Sequence, residues 1–336
     1  MFRNPLTIGI DIGHHSVKAV VLRQKKTDLE LVAFAEVILT TPVLNEQHSV
    51  NAPSLLSAVR KLKKSLPFGA RNAVLALPDS AVISKVIQLD TSLSEDEAVF
   101  AVEQALSASS PFPVEELSTD FFPLATDSFA EPAPTLPYQV FAARRETVEN
   151  RVAVLRKAGL KPQVVELQTH ALLWLESVTA QSHETDGQWG VVDVGQCRTA
   201  FCVNPANSAA YHRELAFGAE SFEKPSTQMD LAGSTDTANL EARERFTKLL
   251  ADNLRRQFQL YNSTHPRATL QGVWLSGGGQ QFVVHQVLQR MLGISVKGLH
   301  PLAVFERSQK IDAALEQGML GQYAVAAGLA VRGTAA

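Results

Sequence analysis

The chain has 336 residues, more than one compact core holds, so two domains or a bilobed body are expected. Hydrophobic residues make up 45% and the formal net charge is −3 at pH 7: ample material for a core, and no basic excess for nucleic acid or for direct binding to anionic lipid. The two cysteines, Cys197 and Cys202, make neither a disulfide framework nor a metal site, no apolar run reaches the roughly 20 residues that cross a bilayer, and no signal-peptide pattern opens the chain, so a cytoplasmic protein without direct membrane insertion is expected.

The apolar runs Leu6–Ile12 and Val17–Leu22 flank a Gly-containing turn and read as a β-hairpin whose first strand ends at Asp11. Leu29–Leu39 is a third strand. Pro53 and Ser54 open a helix to Ser65. Leu55, Leu56, Val59 and Leu62 share one face, and Arg60, Lys61, Lys63 and Lys64 lie mostly on the other. That basic cluster reads as a solvated face or a docking patch. Asn72–Leu77 and Val82–Leu89 are strands separated by Pro78-Asp79. Ser94, with Glu97 three residues on, forms a capping box for a helix with Phe100, Leu106 and neighbouring alanines on its apolar face. The prolines of Pro111–Glu116 force an extended turn. Thr119–Ala125 and Leu136–Ala143 read as a strand pair joined by an exposed loop, Thr126–Thr135. Arg145–Ala158 is a helix closed by Gly159, Val164–Leu167 a short strand and Thr169–Ala180 a helix. The polar stretch Gln181–Gly187 divides the halves.

The second half repeats the opening. Trp189–Val194 runs into Asp193-Val194-Gly195, and Thr199–Val203 and Tyr211–Phe217 follow as strands. Glu223–Asn239 reads as a loop. Leu240–Asn262 is a long helix with a stripe of Phe246, Leu249, Leu250, Leu254, Phe258 and Tyr261. Val273–Leu275 is a strand that enters Gly277-Gly278-Gly279, and Val283–Leu292 and Tyr323–Val331 are helices. The expected organisation is a first-lobe core at 1–79 and 143–186, a small α/β insertion at 80–142, a second-lobe core at 187–212 and 270–336, and an outer subdomain at 213–269.

Chemistry concentrates where the two halves echo each other. Asp11-x-Gly13 and Asp193-x-Gly195 both end strands that begin a β-meander, so two related halves would face one another across a cleft. Glycine lets backbone approach a ligand closely, and a carboxylate beside such a loop suits hydrated Mg²⁺, which takes one or two carboxylates, waters and phosphates. Ser16 and Lys18 add a hydroxyl and a cation. The triple glycine between a strand and a helix suits packing on a nucleoside.

LTIGIDIGHHSVKAVVL, GVVDVGQCRT and VWLSGGGQQF resemble the phosphate 1, phosphate 2 and adenosine motifs of the actin-like ATPases, among them actin, sugar kinases, FtsA and MreB. A narrower resemblance covers nearly the whole chain. EDEAVFAVEQALSASSPFPVEELSTDFFPL is similar to the helix-plus-PFP segment of the PilM family of type IV pilus assembly, as are AARRETVENRVAVLRKAGLKPQVVEL, NLRRQFQLY and YAVAAGLAVR. The resemblance implies an α/β fold of actin-like ATPase type: two related lobes, each a mixed β-sheet with helices, plus the small inserted subdomain. It implies ATP and Mg²⁺ in the cleft. It also implies, as partner, the N-terminal tail of a PilN-like inner-membrane protein, docked on the first half near the insertion and holding the chain at the inner membrane. Contact with other pilus assembly proteins is implied too, and self-association is left open. Carried over by position, Asp11 and Asp193 would orient Mg²⁺-bound water; Gly13, Ser16 and Lys18 would contact phosphates from one side, Gly195 and Thr199 from the other; Gly277, Gly278 and Gly279 would line the adenosine site. Gln168, with Glu166 as the alternative, would position an attacking water.

Two departures from the family pattern bear on activity. His14 and His15 stand where small hydroxyl residues are usual, and as neutral imidazoles would donate to phosphate. The second loop reads Gln196-Cys197-Arg198, with Arg198 either a phosphate partner or a solvent-facing turn residue. The expectation is an ATP-binding assembly scaffold with slow or absent hydrolysis. The alternatives are a small-molecule kinase of the same superfamily and a nucleotide-free binding module.

Overall fold

A computed structural model describes residues 5–26, 28–45, 48–124, 134–182, 185–206, 208–223, 234–307, 311 and 320–335. In chain order the elements are β1 (Leu6–Ile12), β2 (Ser16–Lys25), β3 (Asp28–Ile38), α1 (Ala52–Lys64), β4 (Asn72–Leu77), β5 (Val82–Asp90), α2 (Glu95–Ser107), β6 (Leu117–Pro123), β7 (Thr135–Arg144), α3 (Arg145–Lys157), β8 (Lys161–Leu167) and α4 (Gln168–Ser182). The second half carries β9 (Gln188–Val194), β10 (Thr199–Val203), β11 (Tyr211–Leu215), α5 (Ser234–Thr264), β12 (Leu270–Ser276), α6 (His285–Leu292), β13 (Ser295–Gly298), β14 (Glu306–Arg307) and α7 (Ala324–Thr334).

Two sheets share one pattern. The first runs β14-β3-β2-β1-β4-β8 and the second β11-β10-β9-β12-β13. In each, an antiparallel three-strand meander continues through parallel strands. Both faces of each sheet are covered, which is why the strands read as continuous apolar runs. Alternation sends Ile8, Ile10, Val17 and Val21 towards α1 and α3, and Val20 and Leu22 to the opposite face. In the second sheet Val191 joins the central core while Val192 and Val194 join the side covered by α5 and α6.

The central core is shared by both halves. α4 and α7 contribute Ala171, Leu172, Ala326 and Ala330, packed with Trp189 and Trp274 of the second sheet and Val74 of the first. Small residues bring α7 close. A Cβ on Gly9 would lie 1.9 Å from the Ala326 carbonyl oxygen, and one on Gly328 would lie 1.7 Å from that of Ala171. Residues 82–144 hold a separate sheet, β5-β7-β6, with α2 over an apolar cluster of its own. The Ser94–Glu97 capping box starts α2.

The structure corrects several expectations. α7, assigned by sequence to the second lobe, packs on β1, β2 and β4 of the first sheet, and β14 pairs with β3 there. Among the described residues, 213–269 form no core separate from the second sheet: β11 is one of its strands, and Phe246, Leu250 and Leu254 of α5 join its cluster. α5 begins at Ser234, within the segment read as a loop, because a run of small polar residues with modest propensity is carried on in a helix whose later turns are buried. Leu249 is 52% exposed and outside the α5 stripe. Phe100 is also exposed on α2, where Val102 takes the buried position with Leu106. The expected loop Thr126–Thr135 lies, up to residue 133, outside the described residues. Among the described residues no helix is long and apolar enough to cross a membrane.

Candidate functional site

A cleft of about 940 Å³ opens where the β1–β2 and β9–β10 turns approach each other, closed on one side by the glycine turn after β12 and at its base by the start of α4. The two hairpin turns are built alike. Gly13 N–H donates to the Ser16 carbonyl at 3.0 Å and Gly195 N–H to the Arg198 carbonyl at 2.9 Å. A Cβ on either glycine would sit 3.1 or 2.9 Å from that same carbonyl oxygen, so the tight turn has little room for a side chain. The glycine N–H groups are therefore used within the turns. The N–H groups of His14, His15, Gln196 and Cys197 make no backbone hydrogen bond among the described residues and are the ones left for a ligand.

Asp11 closes β1 and pairs across the hairpin with Lys18 of β2. Lys18 Nζ lies 3.1 Å from Asp11 Oδ2, both side chains nearly buried. Asp193 occupies the equivalent strand end of β9, where its Oδ1 accepts from Ser276 Oγ of β12 at 2.5 Å. Burial pushes the Asp193 carboxyl up to about 6; the Ser276 hydrogen bond opposes this, the negative charge of Asp11 adds to it and Lys18 opposes it. The two carboxylates therefore sense each other across the cleft. Ser16 lines the cleft beside them, its buried hydroxyl without a hydrogen-bond partner among the described residues. Gly277 adopts φ +89°, and its Cβ would meet the Val194 carbonyl oxygen at 2.3 Å, which locks the glycine turn onto the end of β9.

Most of the residues singled out by sequence meet here: Asp11, Gly13, His14, His15, Ser16 and Lys18 on one wall; Asp193 and Gly195 on the facing one, with Gly277, Gly278 and Gly279; and Gln168, first residue of α4, at the base. Two do not. Thr199 is fully buried and donates its hydroxyl to the Phe217 carbonyl at 2.7 Å, inside the second lobe. Glu166, the alternative to Gln168, is held outside the cleft by Arg332 Nε at 3.2 Å and His170 Nδ1 at 3.2 Å.

Sequence reading missed His48, Arg151 and Gln280, which also line the cleft. Arg151 is 1% exposed and donates to the carbonyls of Thr147 at 2.9 Å and His48 at 2.8 Å; burial lowers its pKa to about 10. Its signal was a cation placed on the α3 face that also carries Val154 and Leu155. His48 Nε2 lies 2.9 Å from Ser80 Oγ, a contact that only the fold creates.

Two meanders whose Asp-x-Gly turns face one cleft, with a glycine turn alongside, define the actin-like ATPase fold. Solved structures of this class superpose over nearly the whole chain. EutJ of Carboxydothermus hydrogenoformans matches with a TM-score of 0.50 at 14% identity, covering 98% of this chain and 90% of that one. A glycerol dehydratase reactivase matches with 0.55 at 10%, covering 99% and 100%. The PilM–PilN type IV pilus biogenesis complex matches with 0.78 at 25% identity, covering 97% and 98%. The family described as type IV pilus assembly protein PilM matches residues 9–334, and the chain belongs to that family.

Proposed function

We propose that this protein binds Mg·ATP in the cleft and uses the bound nucleotide to set its grip on the N-terminal tail of a PilN-like inner-membrane protein, with slow or absent hydrolysis. The observation that carries the nucleotide reading is the pair Asp11 and Asp193, held at equivalent strand ends by Lys18 and Ser276 and close enough to affect one another's charge. The donor set fits Mg²⁺. Two carboxylates with room for water and phosphate suit this ion, whereas among the described residues no cluster of three or more His, Cys, Asp or Glu forms an all-protein cage. Mg²⁺, when bound, neutralises charge on the β- and γ-phosphates. Lys18 supplies a cation on the same wall, the unbonded N–H groups of the two turns belong to residues that line the cleft, and the Gly277–Gly279 turn lines it where a nucleoside would pack. Gln168 can orient a water through its amide but cannot take its proton, which fits slow turnover.

The partner reading rests on the family and on the PilM–PilN complex, whose PilM-like chain covers nearly all of this one. A hollow of about 290 Å³ lies beside the inserted sheet, lined by Phe122, Leu124, Phe141, Leu173 and Trp174, and its far rim is His212 and Ala210 of the second half. We place the tail there. Such docking would hold the protein at the inner membrane from the cytoplasmic side. The test is a titration of a PilN-like N-terminal peptide with and without Mg·ATP, alongside thermal shifts with ATP, ADP and GTP. Peptide binding with no shift for any nucleotide would leave a nucleotide-free docking module; no peptide binding in either condition would remove the partner reading.

A further inference from the structure

Two surfaces of the first lobe lie outside both the cleft and the hollow, and they complement each other. From residue 50 to residue 78 the chain carries five cations, Arg60, Lys61, Lys63, Lys64 and Arg71, and no acid. Lys63 is committed to the scaffold, donating to the carbonyls of Ala158 and Gly159 at 2.9 and 3.0 Å. Arg60, Lys61 and Lys64 are exposed along the outer face of α1 and pair with no acid among the described residues. One turn beyond the helix, Phe68 is 100% exposed. Residues 80–124 reverse the sign, with eight acids against one lysine, Lys85. On α2, Asp96, Val99, Phe100 and Glu103 follow the i, i+3, i+4, i+7 spacing that makes one stripe. That stripe faces outward: Phe100 is 62% and Val99 39% exposed, while Val102 and Leu106 face the inserted sheet.

We propose that the α1 surface of one molecule docks on the α2 stripe of a second copy. Each patch sets an exposed phenylalanine among charges of a single sign, and the signs are opposite, so α1-to-α2 contact is attractive where α1-to-α1 or α2-to-α2 contact is repulsive. The patches sit on different elements: α1 packs on α3 and the first sheet, α2 on β5 of the insertion. We take the contact as heterologous, one patch of each copy meeting the other patch of its neighbour, so that a head-to-tail row of any length keeps one free α1 patch at one end and one free α2 patch at the other.

Sedimentation velocity of the full chain over a concentration series tests this. The expected result is a sedimentation coefficient that rises with concentration in low salt and falls back to the monomer value in high salt, because exposed charges are screened. Phe100→Glu and the double variant Lys61→Glu/Lys64→Glu each lose that rise while keeping the wild-type melting temperature. Mixing the two variants gives a dimer and nothing larger, since only one intact patch of each kind remains. A wild-type chain that stays monomeric throughout overturns the proposal, as does a variant mixture without a dimer. An α1 variant that loses binding to phosphatidylglycerol-containing vesicles but self-associates like wild type also overturns it, and assigns the basic face to a membrane surface.

Discussion

At the scale of single residues, Asp193 is a carboxyl whose buried environment disfavours its charge in the ligand-free chain. With its pKa raised to about 6 from an ordinary 3.8, the folded chain binds a proton there more tightly than the unfolded chain. The penalty of its charge is absent below pH 4, builds between about 4 and 6 and is complete above, where it reaches up to about 3 kcal/mol. Asp193→Asn keeps an acceptor for Ser276 and removes the charge. Without metal the variant should melt above wild type at pH 7.5, and the gap should close as the pH falls below 6. The same variant should lose the thermal shift with Mg·ATP. A gap independent of pH would show that the charge is not the source of strain. Thr199 gives the opposite case. Its hydroxyl serves the Phe217 carbonyl, so Thr199→Val should cost about 1 kcal/mol in denaturant melts and leave the nucleotide response unchanged. A lost nucleotide response at full stability would return Thr199 to the ligand site.

At the scale of elements, α7 is the member on which the architecture turns. It packs against α4 and the strands carrying the first Asp-x-Gly turn, and it reaches them through glycines. Gly328→Ala places a methyl against the Ala171 carbonyl of α4 with no flexible neighbour to give way, so the helices must separate. The expected cost is about 3 kcal/mol or more, seen as a lower melting temperature. Because α4 carries Gln168 at its start, the change should also weaken the response to nucleotide. An unchanged melting temperature would mean the two helices are looser than their packing indicates. The helix itself was legible in the sequence, as a short Ala- and Gly-rich apolar stretch. Its sheet was not, since a helix apolar all round carries no mark of which strands it will meet.

At the scale of the whole molecule, α4 joins the two cavities. Its first residue lines the cleft, while His170, Leu173, Trp174 and Ser177 line the hollow. The second half supplies the hollow's far rim, where His212 Nε2 stands 4.0 Å from Asp79 Oδ1 of the first. A nucleotide that changes the angle between the halves must change the hollow, and by linkage an occupant of the hollow must change nucleotide affinity by the same factor. The expected coupling is about 5-fold or more in peptide affinity between the ligand-free and Mg·ATP-bound chain, read by calorimetry. Equal affinities in both conditions would mean that the rim does not move.

The sequence by itself determined the repeated meander, the two Asp-x-Gly turns, the glycine turn and the capped start of α2, because strand periodicity, turn chemistry and capping are local and leave local marks. Only the tertiary structure decided that Thr199 turns inward, that Glu166 is taken by Arg332 and His170, that Arg151 and His48 reach the cleft, and that α7 belongs with the first sheet. Each of these depends on which partner a side chain or helix face meets from a distant part of the chain. Hydrogen-bonding and packing preferences say that a partner is needed, and folding alone chooses which one.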